Sequence, residues 1–389
     1  MNMPIPASYH GREQALVKHY LLETYLQRLF MIIGLHQKSI RYVDCFSGPW
    51  QQGSTALQDT SIGISLKIIE KSREGLKRLG KDVTFHALFI EKNKVSFRKL
   101  QDYLTGFPRQ EVSTEALHGD FFELRNLILE WCGSEDFTFF FIDPTGWKKV
   151  VEIPTLAPLL RRQNSEFLIN FMYDFLLRTH TQVSFSEDIQ AIFGEVPDTA
   201  GLTPVEKEEY LITQYQKRLK EISPAWGGRP RVVSVPVLYP TIDRTLYHLV
   251  YLTRQPKGIT VFMEAAERLE LVQRRAREDA KQEDRELRSR QREMFSASSL
   301  IGKEKRAVVS EVKPYWLNRL SPTPFRFGIE ELADMIEETG WFESDFQVAF
   351  HELEREGRVK NLDATGKRRT RFIHFTAQGN KGELLVRKK

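Results

Sequence analysis

Cysteine is scarce in this chain: Cys45 and Cys132 are the only two in 389 residues. They make no C-x-x-C pair and no zinc-ligand spacing, so neither a disulfide framework nor a structural zinc site is expected. A reducing cytoplasm suits such a chain. Long apolar runs are also lacking. The most apolar early stretch, residues 29–35, is too short to cross a bilayer, and no signal peptide precedes it. The expectation is a soluble cytoplasmic protein with no membrane partner. No G-x-G-x-x-G occurs, which disfavours an ordinary nicotinamide site, and without G-x-x-x-x-G-K-S/T a P-loop is excluded. No metal-ligand triad appears, so no metal is expected. A strong charge of one sign is missing too: the net charge is +5, a mild excess compatible with nucleic acid but not demanding it.

Alternation of short apolar runs with helical patterns is the main positive signal. Residues 14–34 place Leu16, Tyr20, Leu21, Tyr25, Leu29, Ile32 and Ile33 at helical spacing. Strands are then expected at 40–46, 85–90, 112–117 and 137–142, with helices at 61–79, 95–104 and 122–132 between and after them. Each crossover is long enough for a parallel connection. A helix at 156–162 and a fifth strand at 166–172 extend the series, and 174–228 read as a mostly helical insertion beside the site. Two closely spaced strands, 231–238 and 246–252, predict an antiparallel hairpin at the sheet's end. The fold class is α/β: a doubly wound, Rossmann-like sheet of methyltransferase type with that terminal hairpin.

Residues 1–262 would form this domain, and 263–299 a charged helical linker with pairs such as Glu264–Arg268 and Glu270–Arg274. Residues 300–389 read as a winged-helix domain, entered past Pro314, Pro322 and Pro324. Its helices would bury Ile329, Leu332 and Ile336, then Phe346, Phe350 and Leu353. A hairpin of 358–362 and 370–376 would carry Lys367, Arg368, Arg369 and Arg371 at its tip, a cationic group suited to a phosphate backbone or simply to solvent.

Ligands of open α/β sheets bind at the carboxyl ends of the strands. Asp44, Glu91, Asp120 and Asp143 stand at four successive strand ends. Each alone could be a helix cap; together they suit an adenosyl cofactor. Gly48 and Gly53 would let backbone approach it. Asp44 would hold the turn and the cofactor's ammonium, Glu91 the ribose hydroxyls, and Asp120 the adenine amine. Asp143 would accept a hydrogen bond from a nucleophilic amine, assisted by the Pro144 carbonyl, with Trp147 placed to stack on a flipped base. Asn170, Tyr173 and Asp174 follow the fifth strand and could face substrate, or equally cap or pack. His118 reads as a strand-end histidine.

The segments D-C-F-S-G-P-W, F-I-D-P-T-G-W and 246–258 resemble the three-Cys-motif partner (TcmP) family, over roughly residues 12–270. That resemblance implies a class I S-adenosylmethionine-dependent methyltransferase-like fold and a partner protein bearing a three-cysteine motif. It maps the cofactor turn onto Asp44, Phe46, Ser47, Gly48 and Pro49, and the Asp-Pro motif onto Asp143, Pro144 and Gly146. Trp50 stands where the family has glycine. D-P-x-G is also similar to the motif of transfer-RNA guanine-N2 methyltransferases, which implies a base amine as acceptor. The alternative is a non-catalytic accessory that binds cofactor or nucleic acid for a radical-type partner.

Overall fold

The computed structural model describes residues 13–48, 60–107, 112–144, 149–179, 182–289, 307–364 and 372–388. These fall into two compact units: residues 1–254 with 272–294, and residues 255–271 with 295–389.

The first unit begins with helix α1 (Glu13–Gly34). It buries Leu21, Leu22, Tyr25, Leu26, Leu29 and Phe30 along one stripe. Strands β1 (Ser39–Asp44), β2 (Thr84–Glu91), β3 (Val112–His118) and β4 (Phe137–Ile142) alternate with helices α2 (Ser61–Arg78), α3 (Lys94–Gly106) and α4 (Phe121–Cys132). Helix α5 (Ile153–Leu160) leads to β5 (Ser165–Phe171). Next come α6 (Tyr173–Thr179), a 3-10 turn at Val183–Phe185, α7 (Ser186–Phe193) and α8 (Pro204–Ile222), then strands β6 (Arg231–Leu238) and β7 (Thr245–Thr253).

The seven strands form one sheet in the order β3-β2-β1-β4-β5-β7-β6. The first five run parallel, and β7 pairs antiparallel with both β5 and β6. Strand β4 is buried at every position, as a central strand covered on both faces requires. Edge strand β3 is mostly exposed or half-buried. The order matches that of a Rossmann-like methyltransferase sheet, including the terminal antiparallel hairpin.

Short polar residues start the helices that follow the strands, because they satisfy the first free amides. Thr60 Oγ1 accepts from Gly63 N at 3.2 Å, Asn93 Oδ1 from Val95 N and Ser96 N at 2.9 and 3.0 Å, and Asp120 Oδ1 from Phe122 N at 2.8 Å. Helix α1 is tied to the sheet through a buried carboxylate. Glu166 on β5 accepts from Tyr25 at 3.0 Å, and from Tyr251 and Thr253 at 2.7 Å each.

Helix α9 (Pro256–Ser289) carries the charged stretch. It starts before that stretch and buries Ile259, Phe262, Met263, Ala265, Ala266 and Leu269. Its later part belongs to the first unit, where Gln273 Oε1 accepts from Leu238 N at 2.9 Å.

Besides the first part of α9, the second unit contains α10 (Val309–Arg319), β8 (Phe325–Phe327), α11 (Ile329–Thr339), α12 (Glu343–Arg355), β9 (Val359–Asn361), a short helical turn at Ala377–Asn380 and β10 (Glu383–Arg387). Its small antiparallel sheet has the order β8-β10-β9. Trp316 is fully buried, donates to Phe346 O at 2.9 Å and packs edge-on against Phe350. Two expectations are corrected here. The partner of β9 is β10, not 370–376; residues 372–376 form no strand. Pro314 lies inside α10 rather than ahead of the helices, because burial of Val312 and Trp316 outweighs the one helical hydrogen bond that proline removes.

Candidate functional site

A cavity of about 1020 Å³ opens at the carboxyl ends of β1, β2, β3 and β4. Phe46, Gly48, Glu91, Asp120 and Pro144 line it, all of them anticipated from the sequence. Phe121 and Ile90 add apolar wall, and Phe175 and Phe185 contribute from the segment after β5.

Local hydrogen bonds set the turn after β1. Cys45 N donates to Phe141 O and Ser47 N to Ile90 O, at 2.9 and 2.8 Å, so the chain continues to follow its neighbours past the strand end. The Ser47 hydroxyl is spent on Asp44 O at 3.2 Å, and Ser47 does not line the cavity. Gly48 lies against Glu91: a Cβ there would come within 1.9 Å of Glu91 Oε2. The other oxygen of Glu91 accepts from Asn93 N at 2.6 Å, which orients the carboxylate. Asp120 caps α4 and pairs with Lys92 at 2.7 Å. The Lys92 ammonium is the main reason its carboxyl sits below the ordinary aspartate range. His118 is exposed and rests on the Phe97 ring.

Alternation along the strands separates the acids. Val43, Cys45, Phe140 and Ile142 belong to the core cluster on one face of the sheet, so Asp44 and Asp143 belong to the opposite face by period two. Asp44 is fully buried; its oxygens accept from Phe46 N and the Ser61 hydroxyl, both at 3.0 Å. Burial raises its pKa to about 7, against the lowering effect of those two hydrogen bonds; Asp143 adds to the rise and Lys18 opposes it. Asp143 is held at both oxygens: the Lys18 ammonium contacts Oδ2, and Asn170 Nδ2 donates to Oδ1 at 2.7 Å. Tyr173 is buried, and Asp174 is buried between Arg178 and Arg244 at 2.9 and 2.7 Å.

The structure therefore gathers Phe46, Gly48, Glu91, Asp120 and Pro144 in the cavity, and Asp44, Asp143 and Asn170 in a separate polar group. Pro49, Trp50, Trp147, Lys367, Arg368, Arg369 and Arg371 lie outside the described residues. Lys18 was not anticipated. It is one of several polar residues on a long amphipathic helix, and no local pattern marks it. Asn93 was legible as an Asn directly before a helical run. Cys45 lines the cavity, and burial pushes its thiol well above the usual range, which works against the thiolate form. Among the described residues no group of His, Cys, Asp and Glu could hold a metal, and no helix is long and apolar enough to cross a membrane.

No family model matches the chain, and no curated protein does. Among solved structures, it resembles a Legionella pneumophila protein of the DUF519 family at 11% identity and a TM-score of 0.36, covering 68% of this chain and 91% of that one. It also resembles a loganic acid methyltransferase with bound S-adenosylhomocysteine at 12% identity and a TM-score of 0.26, covering 100% and 99%. Both likenesses are too distant to carry an inference, and the methyltransferase-like fold rests on the strand order and directions.

Proposed function

We propose that this chain is an S-adenosylmethionine-dependent methyltransferase acting on a base amine of nucleic acid. The observation that carries the reading is the cavity at the strand ends, where Gly48, Glu91, Asp120 and Pro144 converge in a sheet of this order. The residues present fit an adenosyl cofactor. Gly48 leaves space that any side chain would fill, and Glu91 offers a carboxylate where a ribose diol needs acceptors. Phe46 and Phe121, with ring centroids 5.2 Å apart, supply an aromatic wall for a planar base.

When bound, the cofactor supplies an electrophilic methyl group. Glu91 would hold the ribose hydroxyls, Asp120 would accept from the adenine amine, and Phe46, Ser47 and Gly48, with Pro49 by sequence, would shape the turn around the amino-acid end. Asp44 does not line the cavity; it would hold the turn through Phe46 N and Ser61 Oγ and, ionised above its pKa of about 7, act on the ammonium through its charge or a bridging water. Asp143 accepts a hydrogen bond from the nucleophilic amine with the Pro144 carbonyl beside it, which orients the nitrogen lone pair. Trp147, outside the described residues, would be the ring to stack on the base.

The second unit supports the nucleic-acid part. Its elements run helix–strand–helix–helix–strand, then a short helical turn at Ala377–Asn380, then a strand, which we read as a variant of a winged helix; Lys367, Arg368, Arg369 and Arg371 fall in the sequence between β9 and β10. A partner with a three-cysteine motif is part of the proposal, on the sequence resemblance. One observation favours the accessory reading instead: both Asp143 oxygens are already engaged.

Calorimetry with S-adenosylmethionine, followed by transfer of labelled methyl to mixed RNA and single-stranded DNA, tests the reading. Asp143→Ala is expected to abolish transfer and spare cofactor binding. Full activity in that variant overturns the role of Asp143, and cofactor binding without any transfer favours the accessory.

A further inference from the structure

The polar group at the ends of β4 and β5 contains an acceptor that no donor among the described residues uses. Asn170 is 4% exposed, and its Nδ2 donates to Asp143 Oδ1 at 2.7 Å. An ionised carboxylate can only accept, so this bond fixes which way the amide faces. Asn170 Oδ1 is thereby turned away from Asp143, buried and without a hydrogen-bond partner among the described residues. A buried acceptor left bare is costly, and few persist without a reason. On the other side, Asp143 Oδ2 carries the Lys18 ammonium. Lys18 comes from α1, and its long flexible stem lets the head leave without moving the helix. Asp143 is joined in the chain to Pro144, which lines the cavity.

We infer that Asn170 and Asp143 together form a receptor for a primary amine, with Lys18 as its resident occupant. This rests on the methyltransferase reading and deepens it. The substrate's amine displaces Lys18 and gives one hydrogen to Asp143 Oδ2 and the other to Asn170 Oδ1. A hydroxyl has one hydrogen and leaves one acceptor bare, whereas a primary amine satisfies both. A site built this way rejects an analogue lacking the donor, because its own buried group is then unpaired. In the transfer step the amine nitrogen forms a bond to the methyl carbon, and the carbon–sulfur bond of the cofactor breaks with its electron pair going to sulfur. The hydrogen facing Asp143 passes to that carboxylate and on to solvent, while the hydrogen on Asn170 stays. Lys18 then returns to Asp143. Asn170 is the residue that selects amines.

The test uses the full chain, saturated with S-adenosylhomocysteine and labelled with nitrogen-15 at asparagine side chains. Two nucleoside pairs that differ by one exocyclic amine serve as probes: guanosine against inosine, and adenosine against purine riboside. At least one amine-bearing nucleoside is expected to shift the Asn170 amide signal and to bind about tenfold tighter than its partner, one hydrogen bond's worth. Asn170→Leu and Asn170→Ala should each erase the difference, and Lys18→Met should tighten the amine-bearing member by freeing Asp143. Cofactor-product binding without discrimination overturns the inference alone, as does equal weakening of both members of a pair in the Asn170 variants, the mark of a structural role. Failure of S-adenosylhomocysteine to bind overturns the methyltransferase reading, and the receptor with it.

Discussion

Gly48 stands so close to Glu91 that a methyl group on it would lie 1.9 Å from the Glu91 carboxylate. The turn after β1 and the end of β2 thus meet with no side chain between them. Gly48→Ala is expected to displace the Glu91 carboxylate, or the turn, by more than an ångström. Cofactor affinity should fall at least tenfold, because the ribose acceptor moves. Calorimetry reads the affinity, and circular dichroism should show the fold retained, since Gly48 sits at the cavity rather than in the core.

Asp44 makes the protein sensitive to pH. Its carboxyl holds a proton up to about pH 7 in the folded chain but only to about pH 4 in an unfolded one. Between those values the folded state binds the extra proton, so this group's contribution to stability falls as pH rises from about 4 to about 7 and levels off above. Asp44→Asn removes that slope. Denaturant unfolding at pH 4.5 and 8 should show the variant gaining on the wild type by on the order of a few kcal/mol. Cofactor binding should move the other way in the wild type, tightening as Asp44 ionises between pH 6 and 7.5, and should lose that dependence in the variant.

Asp120 has a structural and a proposed binding role, and two substitutions separate them. Asp120→Ala removes the cap of α4 and should cost about 1 kcal/mol. Asp120→Asn keeps a capping oxygen and should cost a few tenths of that. If Asp120 also accepts from adenine, both variants weaken the cofactor, because the ionised acceptor is lost in each. Affinity unchanged in Asp120→Asn would leave the cap as its role.

Glu166 is the anchor of α1. Glu166→Leu leaves the Tyr25, Tyr251 and Thr253 hydroxyls without their common acceptor and should destabilise the protein by roughly 3 kcal/mol or more. Glu166→Gln keeps an oxygen and should cost roughly 1 kcal/mol. Urea unfolding of both variants measures the difference.

Much of the first unit was legible because its signals are local. Apolar runs such as 137–142 mark fully buried strands, and Asp120 reads as a residue that closes a strand and caps the next helix. Gly48, Glu91 and Asp120 could be placed at strand ends, and the cavity gathers them with Phe46 and Pro144. Strand β10 was missed because a short strand far along the chain is defined by its partner, not by its own pattern. Helix α10 was missed because Pro314 reads locally as a break, while burial of Trp316 is a tertiary fact.

The sequence by itself determined the order of strands and helices in the first unit's sheet, the hairpin at the sheet's end and the acids that close the strands, since periodicity and capping depend on neighbours in the chain. Only the tertiary structure decided what those acids touch. It brought Lys18, 125 positions away along the chain, onto Asp143, and buried Asp44 deeply enough to move its pKa. It also oriented Asn170 so that its side-chain oxygen has no partner among the described residues. Contacts of that kind depend on which face of the sheet each side chain takes and which helix packs above it, and nothing in the local pattern around Lys18 encodes its meeting with Asp143.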